Sequence, residues 1–468
     1  MKEADQKRCW KLHKWSQNNG ARLHPSLEIY YDDVTKFSLR VKNSVTDGVE
    51  PGFTAVTSNI AQTLSYINAV IDGPIRLPAS HGQPHQPAFP PRFMTDLPPF
   101  VIGRFFLIKE YLKGDESFWW PYIATLPQPE HVNFWALPAF WPEEDIAFLD
   151  GTNAYVACQE IQQNVKQEYK QARKVLKEAG FAGWQDYTQM LYKWAFCIFT
   201  SRSFRPSLML SQNSRAYISA LLPQGCEIDD FSILQPLFDL ANHSMTAKYS
   251  WDITSDPQCC QLICEDGYQA GDQVYNNYGL KSNSELLLGY GFILPETEEL
   301  HNDYVHVRKR QPQAGDASAV GKPKDFLISL RPMNHPSSVA GRARLFSLAD
   351  RRLLSLQGLS HFEPALIADL AAAVATPEER ALIGQWLASE EDAVPEGLGE
   401  VLDKIRGPLG GKVHFDYQKL KAAELDEETG ENRLQTPTNK NQELALEYRR
   451  QCEKVLVAAL EALSQSMQ

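Results

Sequence analysis

The chain has 468 residues, of which 43% are hydrophobic and 22% are charged, and this composition is typical of a globular protein with two or three domains. The formal net charge of −12 argues against nonspecific binding to nucleic acid or to anionic membranes, because both attract basic surfaces. The charge is compatible with a basic partner, such as a lysine-rich protein segment.

The polar N-terminus has no apolar stretch typical of a signal peptide, and no run of about 18 apolar residues predicts a membrane span. Cysteines cluster only at Cys259, Cys260 and Cys264, and their spacing does not match a zinc site. We therefore expect reduced thiols on a β-strand, no structural metal, and a protein of the cytoplasm and/or nucleus.

In chain order, an N-terminal extension (residues 1–23) is followed by short β-rich segments between residues 24 and 75, separated by turn residues: "SLEIYY", "KFSLRVKNSV" and "GFTAVTSN". A proline-rich passage, residues 79–100, predicts an exposed loop. Helical periodicity then dominates, and Thr152 is a suitable N-cap for a long helix that ends at Gly180. These patterns predict a helical insertion over residues 76–205.

Strand patterns return within residues 206–297, at "YSWDI", "CQLICE" and "DQVYNNYG". A loop is predicted at residues 310–325, and the remaining segments have helical periodicity. The predicted fold class is therefore α+β: one β-rich domain, split by a helical insertion, and an all-α C-terminal domain over residues 298–468.

The segment "LQPLFDLANHS", residues 234–244, places three polar side chains in an apolar context. Asp239, Asn242 and His243 are spaced so that one helical turn would bring them together, and burial of such groups requires partners. Taken alone, His243 fits a hydrogen-bonded core histidine, and Arg202 of "SRSF" fits a surface cation or an interdomain salt bridge. The chain has no HExxH, Walker A or GxSxG motif.

Together these motifs have a more specific interpretation. "PLFDLANHS", followed by "NNYGLKSNSELLLGYGF", resembles the two-part signature of the SET-domain protein methyltransferases, in particular the Rubisco-methyltransferase-like branch. That branch has a knotted, β-rich SET domain with a helical insertion, and a helical substrate-binding domain. "LIKEYLKGDESFWWPYIATLP", "FLDGTNAY", "SRSF" and the last predicted helix are also similar. The resemblance covers roughly residues 24–465.

The resemblance implies methyl transfer from S-adenosylmethionine to a lysine side chain of a non-histone protein, with a ribosomal or translation protein as the best candidate. It implies that Tyr278 is the catalytic tyrosine at the methyl-transfer pore. The cofactor-binding residues would be Ser201, Arg202, Asp239, Asn242, His243, Tyr278, Tyr290 and Phe292. The substrate channel would be formed by Phe204, Tyr290 and Phe292. The protein substrate would dock on the insertion and on the C-terminal domain.

One stretch departs from the family pattern. The family's N-terminal cofactor loop commonly carries Gly-x-Gly, whereas this chain has no glycine between Phe37 and Arg40, and glycine lets a backbone approach a ligand closely. Two alternative functions remain open. One is a non-catalytic SET scaffold that binds proteins, which the missing glycines support, and the other is protein-histidine methylation, which needs the same cofactor.

Overall fold

The structure is a computed structural model, and it describes residues 3–32, 36–76, 86–309, 324–389, 395, 397–425, 430, 432–434 and 436–465. The chain forms two compact units, one comprising residues 1–136 and 161–279 and the other comprising residues 137–160 and 280–468. The domain boundaries expected from the sequence stay a prediction. Most of the loop predicted at 310–325, and part of the proline-rich passage, lie outside the described residues.

The first unit is built around a four-stranded sheet that joins the two β-rich parts of the sequence. Its strands, in spatial order, are Arg22–Leu23, Phe53–Asn59, Cys259–Cys264 and Tyr249–Asp252. The two central strands are antiparallel, and Val56 lies opposite Leu262. Smaller sheets are formed by the remaining strands of this unit: Leu27–Asp32 with Lys36–Val41; Leu64–Ser65 and Ser203–Phe204 with Ile233–Leu234; and Asn242–His243 with Tyr275–Asn276.

The cysteine cluster belongs to a central strand of this sheet. Cys260, Leu262 and Cys264 are buried and alternate with half-buried residues, as the period of two along a β-strand requires. Burial raises the pKa of the Cys260 and Cys264 thiols to about 12. These side chains therefore act as small apolar groups in the core.

The helices of the first unit begin near the N-terminus and continue through the inserted region. Prolines begin three of them, Pro91–Asp96, Pro99–Leu112 and Pro206–Met209, because proline at the first helical position has the required φ and lacks only an N–H that would be unpaired there. Part of the predicted proline-rich loop is thus helical. The α-helices are Glu3–Asn18, Tyr66–Ile71, Pro91–Asp96, Pro99–Leu112, Trp120–Ile123, Gln189–Arg202, Pro206–Met209 and Gln212–Ser219, with the later part of Asn153–Glu178.

The second unit is mainly helical and contains one antiparallel strand pair, Tyr304–Lys309 with Lys324–Ser329. Its helix Leu398–Ala422 contains Pro408, and buried apolar side chains recur along it at helical spacing. The other α-helices are Glu143–Ile146, Asn283–Tyr290, Val339–Arg342, Leu348–Ser355, Pro364–Val374, Pro377–Ala388 and Lys440–Gln465, with the first part of Asn153–Glu178.

The predicted α+β class, with helices that interrupt a β-rich part and a helical C-terminal region, is confirmed, but the C-terminal region is not all-α, because it contains the strand pair Tyr304–Lys309 with Lys324–Ser329. None of the helices in the described part of the chain is long and apolar enough to span a membrane.

Candidate active site

The segment "DLANHS" folds differently from the single helical turn that its spacing suggested. Phe238–Leu240 forms one turn of 3-10 helix, and Asn242–His243 forms a short strand parallel to Tyr275–Asn276. Leu237, directly before the turn, has a φ of 68°, which is strained for a residue with a branched side chain. Because the backbone pairs as a strand after Ala241, the three polar side chains reach three separate sets of partners.

Asp239 is buried, and two hydrogen-bond donors contact its carboxylate. Its Oδ2 accepts a hydrogen bond from the Tyr122 hydroxyl at 2.8 Å and lies 3.3 Å from Nη1 of Arg202. Its Oδ1 is buried and accepts no hydrogen bond from any residue that the structure describes. Burial raises the pKa of Asp239, whereas Arg202 and Tyr122 act in the opposite direction. Burial and the Asp239 charge raise the pKa of Tyr122 well above its ordinary value, so this phenol remains a donor.

Arg202 and Ser201 lie at the end of the helix Gln189–Arg202. The Arg202 Nη1 also lies 3.4 Å from the backbone oxygen of Asp239, while no acceptor for Nε or Nη2 is found among the described residues. The side chain is 21% exposed, so the remaining guanidinium N–H groups can reach a ligand. Ser201 donates its hydroxyl to the carbonyl of Cys197 at 2.8 Å and forms no hydrogen bond with the other predicted site residues described.

Asn242 contacts the stretch that lacks the expected glycines. Its Nδ2 donates to the Ser38 hydroxyl at 2.7 Å and to Oε1 of Gln273 at 2.9 Å. Ser38 lies on the strand Lys36–Val41, which begins at Lys36 with a φ of 61°. A left-handed backbone is unusual for lysine and ordinary for glycine, so Lys36 holds a conformation that glycine would adopt without strain.

His243 and Tyr278 form a pair. The backbone N–H of Tyr278 donates to Nδ1 of His243 at 3.0 Å, and the two rings stack with centroids 5.0 Å apart. The Tyr278 hydroxyl lies 3.2 Å from the backbone oxygen of Ala241 and donates to it. Because Nδ1 is an acceptor, a neutral His243 carries its proton on Nε2. The imidazole therefore holds the turn together.

Phe204 belongs to an aromatic cluster beside this turn. Its ring packs edge-on against Phe238 and Trp251, at 5.5 and 5.7 Å between centroids, and those two rings are 5.5 Å apart. The sequence reasoning missed Tyr122, Phe238 and Trp251 as neighbours of the site. Tyr122 could have been found, since it lies within the passage "FWWPYIATLP", which is similar to the family pattern.

Two predicted site residues, Tyr290 and Phe292, belong to the second unit. Tyr290 is the last residue of the helix Asn283–Tyr290 and Phe292 lies two residues further on, with ring centroids 6.2 Å apart. Burial raises the pKa of Tyr290. Asn283, at the start of this helix, exchanges hydrogen bonds with the backbone of Leu294 at 2.8 Å in both directions. The other predicted site residues all belong to the first unit.

No family model matches the chain. Among solved structures, the SET domain of LSMT bound to MeLysine and AdoHcy is similar over 100% of this chain and 93% of that chain, with a TM-score of 0.61 and 16% identity. Rubisco LSMT bound to AdoMet is similar over the same shares, with a TM-score of 0.59 and 17% identity. The chain therefore has the SET-domain fold of the Rubisco-methyltransferase type, as the motif resemblance predicted.

Similar sequences are named as protein methyltransferases. The chain is 30% identical over 288 residues to ribosomal lysine N-methyltransferase set10 of Schizosaccharomyces pombe, a match that covers 61% of this chain and 45% of the relative. It is 30% identical over 233 residues to the chloroplastic [fructose-bisphosphate aldolase]-lysine N-methyltransferase of Arabidopsis thaliana, covering 47% and 42%. It is 26% identical over 183 residues to the actin-histidine N-methyltransferase of Mus musculus, covering 38% and 27%. The matches span less than half the length of these curated relatives.

Proposed function

We propose that the chain is an S-adenosylmethionine-dependent methyltransferase that acts on a lysine side chain of a non-histone protein. The observation that carries the proposal is the polar turn Asp239–His243, fixed by Tyr122, Arg202 and Tyr278 within a SET-type fold. Burial of the Asp239 carboxylate is costly unless partners compensate it. Here those partners hold a turn whose half-buried Asn242 and His243 remain accessible to a ligand. The similarity to proteins named as lysine methyltransferases supports the same reaction.

The polar atoms of the first unit fit the methionine end of this cofactor, which carries a carboxylate and an ammonium group. The unengaged N–H groups of Arg202 would pair with the carboxylate. Ser201 would lie at the same outer side of the cofactor. Asn242 Oδ1 would accept from the ammonium, and His243 would offer backbone groups. Asp239, whose Oδ1 is buried and lacks a donor among the described residues, would stabilise the turn that presents these groups. Bound there, the cofactor supplies an electrophilic methyl group.

The protein's own residues would prepare the lysine. A lysine amine must be neutral to attack, although its unperturbed pKa is about 10.4. Removal of the amine from water beside aromatic side chains, of which the first unit offers Phe204, would lower that pKa. The Tyr278 hydroxyl, which donates to a carbonyl, has lone pairs that can accept an N–H of the amine and so direct its nitrogen lone pair. Alignment of this kind accounts for much of the acceleration of a displacement.

The substrate we propose is a basic segment of a ribosomal or translation protein. The similarity to a relative named as a ribosomal lysine methyltransferase supports this choice, and the net charge of −12 favours a basic partner. Such a protein would dock on the helical insertion and on the C-terminal helical region, and the reaction would take place in the cytoplasm and/or nucleus.

Titration calorimetry with S-adenosylmethionine tests the proposal. We expect binding by the wild-type chain and retained binding by Tyr278→Phe, which keeps the aromatic ring. Arg202→Met should bind at least tenfold more weakly, because a charge-assisted pair with the carboxylate is lost. Absence of wild-type binding at millimolar cofactor would instead favour the non-catalytic scaffold.

Histidine methylation is the second candidate, because the actin-histidine N-methyltransferase is also similar to this chain. Both reactions use the same cofactor and differ in the acceptor side chain. Mass-spectrometric identification of the methylated residue distinguishes them.

A further inference from the structure

The orientation of the Asn242 side-chain amide is fixed by two residues that have no assigned role. An amide nitrogen has two N–H donors, and both are used here: one by the Ser38 hydroxyl at 2.7 Å and the other by Gln273 Oε1 at 2.9 Å. Within the described part of the chain, no residue donates to Asn242 Oδ1. The amide can therefore offer a ligand only an acceptor.

The two partners of Asn242 are themselves held in place. Ser38 is fully buried on the strand Lys36–Val41, and the next residue, Leu39, accepts a backbone hydrogen bond from Val274 at 2.9 Å. This pairing brings Gln273 beside the same strand. Gln273 Nε2 donates to the Tyr30 hydroxyl, which leaves its Oε1 facing Asn242. The chain of hydrogen bonds sets one orientation for each amide.

Ser38 lies in the stretch where the family pattern has glycines. A glycine there would leave one N–H of Asn242 without its partner, and the amide could then turn over. The serine hydroxyl supplies a constraint that a glycine cannot, because glycine has no side chain.

We propose that Ser38 and Gln273 are positioning residues that keep Asn242 Oδ1 directed at the ammonium group of the bound cofactor. The inference rests on the proposed function and extends it to residues outside the predicted site. It follows that Ser38 and Gln273 act on affinity through one group of the cofactor only. Loss of either hydrogen bond should weaken the binding of a ligand that has the ammonium group. It should not change the binding of a ligand that lacks this group.

The test measures the dissociation constants of S-adenosylmethionine and of its analogue without the α-amino group, by calorimetry, for wild type, Ser38→Ala and Gln273→Met. We expect each variant to bind S-adenosylmethionine about fivefold more weakly, as for one lost neutral hydrogen bond, and to bind the deaminated analogue as wild type does. Ser58→Ala is the matched control. Ser58 is a fully buried strand serine whose hydroxyl bonds to Pro236 and Gln235, and this variant should keep the wild-type ratio of the two constants.

Three results would overturn the inference in distinguishable ways. Equal weakening for both compounds would mean a general structural role. Weakening that depends on the cofactor's carboxylate, measured with a decarboxylated analogue, would mean that Asn242 presents its N–H groups. A wild-type chain that binds neither compound would overturn the proposed function as well. Gln273 is half-buried, so Gln273→Met provides the comparison even if Ser38→Ala does not fold.

Discussion

Replacing Tyr122 with phenylalanine removes one oxygen from the centre of the candidate site. The hydroxyl donates to buried Asp239 at 2.8 Å, and the ring remains, so the core keeps its packing. Asp239 Oδ1 already lacks a donor among the described residues. The variant therefore leaves the carboxylate with Arg202 as its one side-chain partner among the described residues, at 3.3 Å, and a buried charged group loses much stabilisation when it loses a hydrogen bond.

The expected loss is about 2 kcal/mol, since hydrogen bonds to charged groups contribute about 1.5–3 kcal/mol. For a domain of this size, 1 kcal/mol corresponds to about 2–4 °C in Tm, so Tm should fall by about 4–8 °C. The loss should also depend on pH. Burial raises the folded-state pKa of Asp239 above its ordinary value, and Tyr122 opposes that rise. Removing Tyr122 therefore raises the pKa further, and the stability difference between variant and wild type should grow as pH rises through the raised folded-state pKa values, because the unfolded-state contribution is the same for both proteins.

Urea unfolding of both proteins at pH 4 and pH 7.5 measures this difference. Tyr169→Phe is the control, because its hydroxyl donates to the backbone oxygen of Tyr187 at 3.2 Å, and a carbonyl does not titrate. We expect a smaller and pH-independent loss for the control. A Tyr122→Phe loss that is the same at both pH values, or no larger than the control's, would refute the electrostatic role given to Tyr122.

Three further predictions concern other parts of the chain. Burial lowers the pKa of His301 to about 4 from 6.5. The free energy of unfolding of wild type should therefore fall by up to about 3 kcal/mol relative to that of His301→Gln as pH falls from 6.5 to 4. Urea unfolding that shows the same pH dependence for both proteins would contradict this prediction. Gly151 has a φ of 83°, and an added Cβ would lie 3.0 Å from the Leu420 backbone, so Gly151→Ala should lower stability by about 2 kcal/mol in thermal unfolding. At Gly180 the φ is 63°, but an added Cβ would have no atom within 4 Å, so Gly180→Ala should lower the free energy of unfolding by about half as much. Equal losses for the two variants would mean that backbone strain alone determines the effect. Tyr278→Phe should bind cofactor yet transfer methyl groups at least tenfold more slowly, and unchanged turnover would exclude Tyr278 from the pore.

The strands were largely predictable because their signals are local. Phe53–Asn59 and Cys259–Cys264 alternate between more and less buried positions, and turn residues flank both. Within the C-terminal region predicted to be helical, the helix Leu398–Ala422 has the weakest local signal, because it contains Pro408 and several glycines, which are poor helix formers. Burial of its apolar face outweighs that propensity, and burial depends on neighbours that are distant in sequence.

The geometry of the candidate site differs from the one that the sequence suggested, and the assignment of its residues stays a prediction. Spacing alone suggested one helical turn for Asp239 and His243, but parallel pairing with Tyr275–Asn276 makes a strand of the second half. Partners such as Tyr122 and Ser38 are separated from the turn by long stretches of chain. Contacts of this kind have no local signal, so the hydrogen-bond network around Asn242 could not be read from the motif. The roles assigned to individual site residues remain predictions.

The most direct test of the proposed methyl transfer uses S-adenosylmethionine with a labelled methyl group. The wild-type chain and Tyr278→Phe are each incubated with a cell extract and the labelled cofactor, and the labelled protein and residue are identified by mass spectrometry. We predict label on a lysine of a non-histone protein, present with wild type and at least tenfold weaker with Tyr278→Phe. Label confined to histidine, or no label with a wild-type chain that binds the cofactor, would contradict the account.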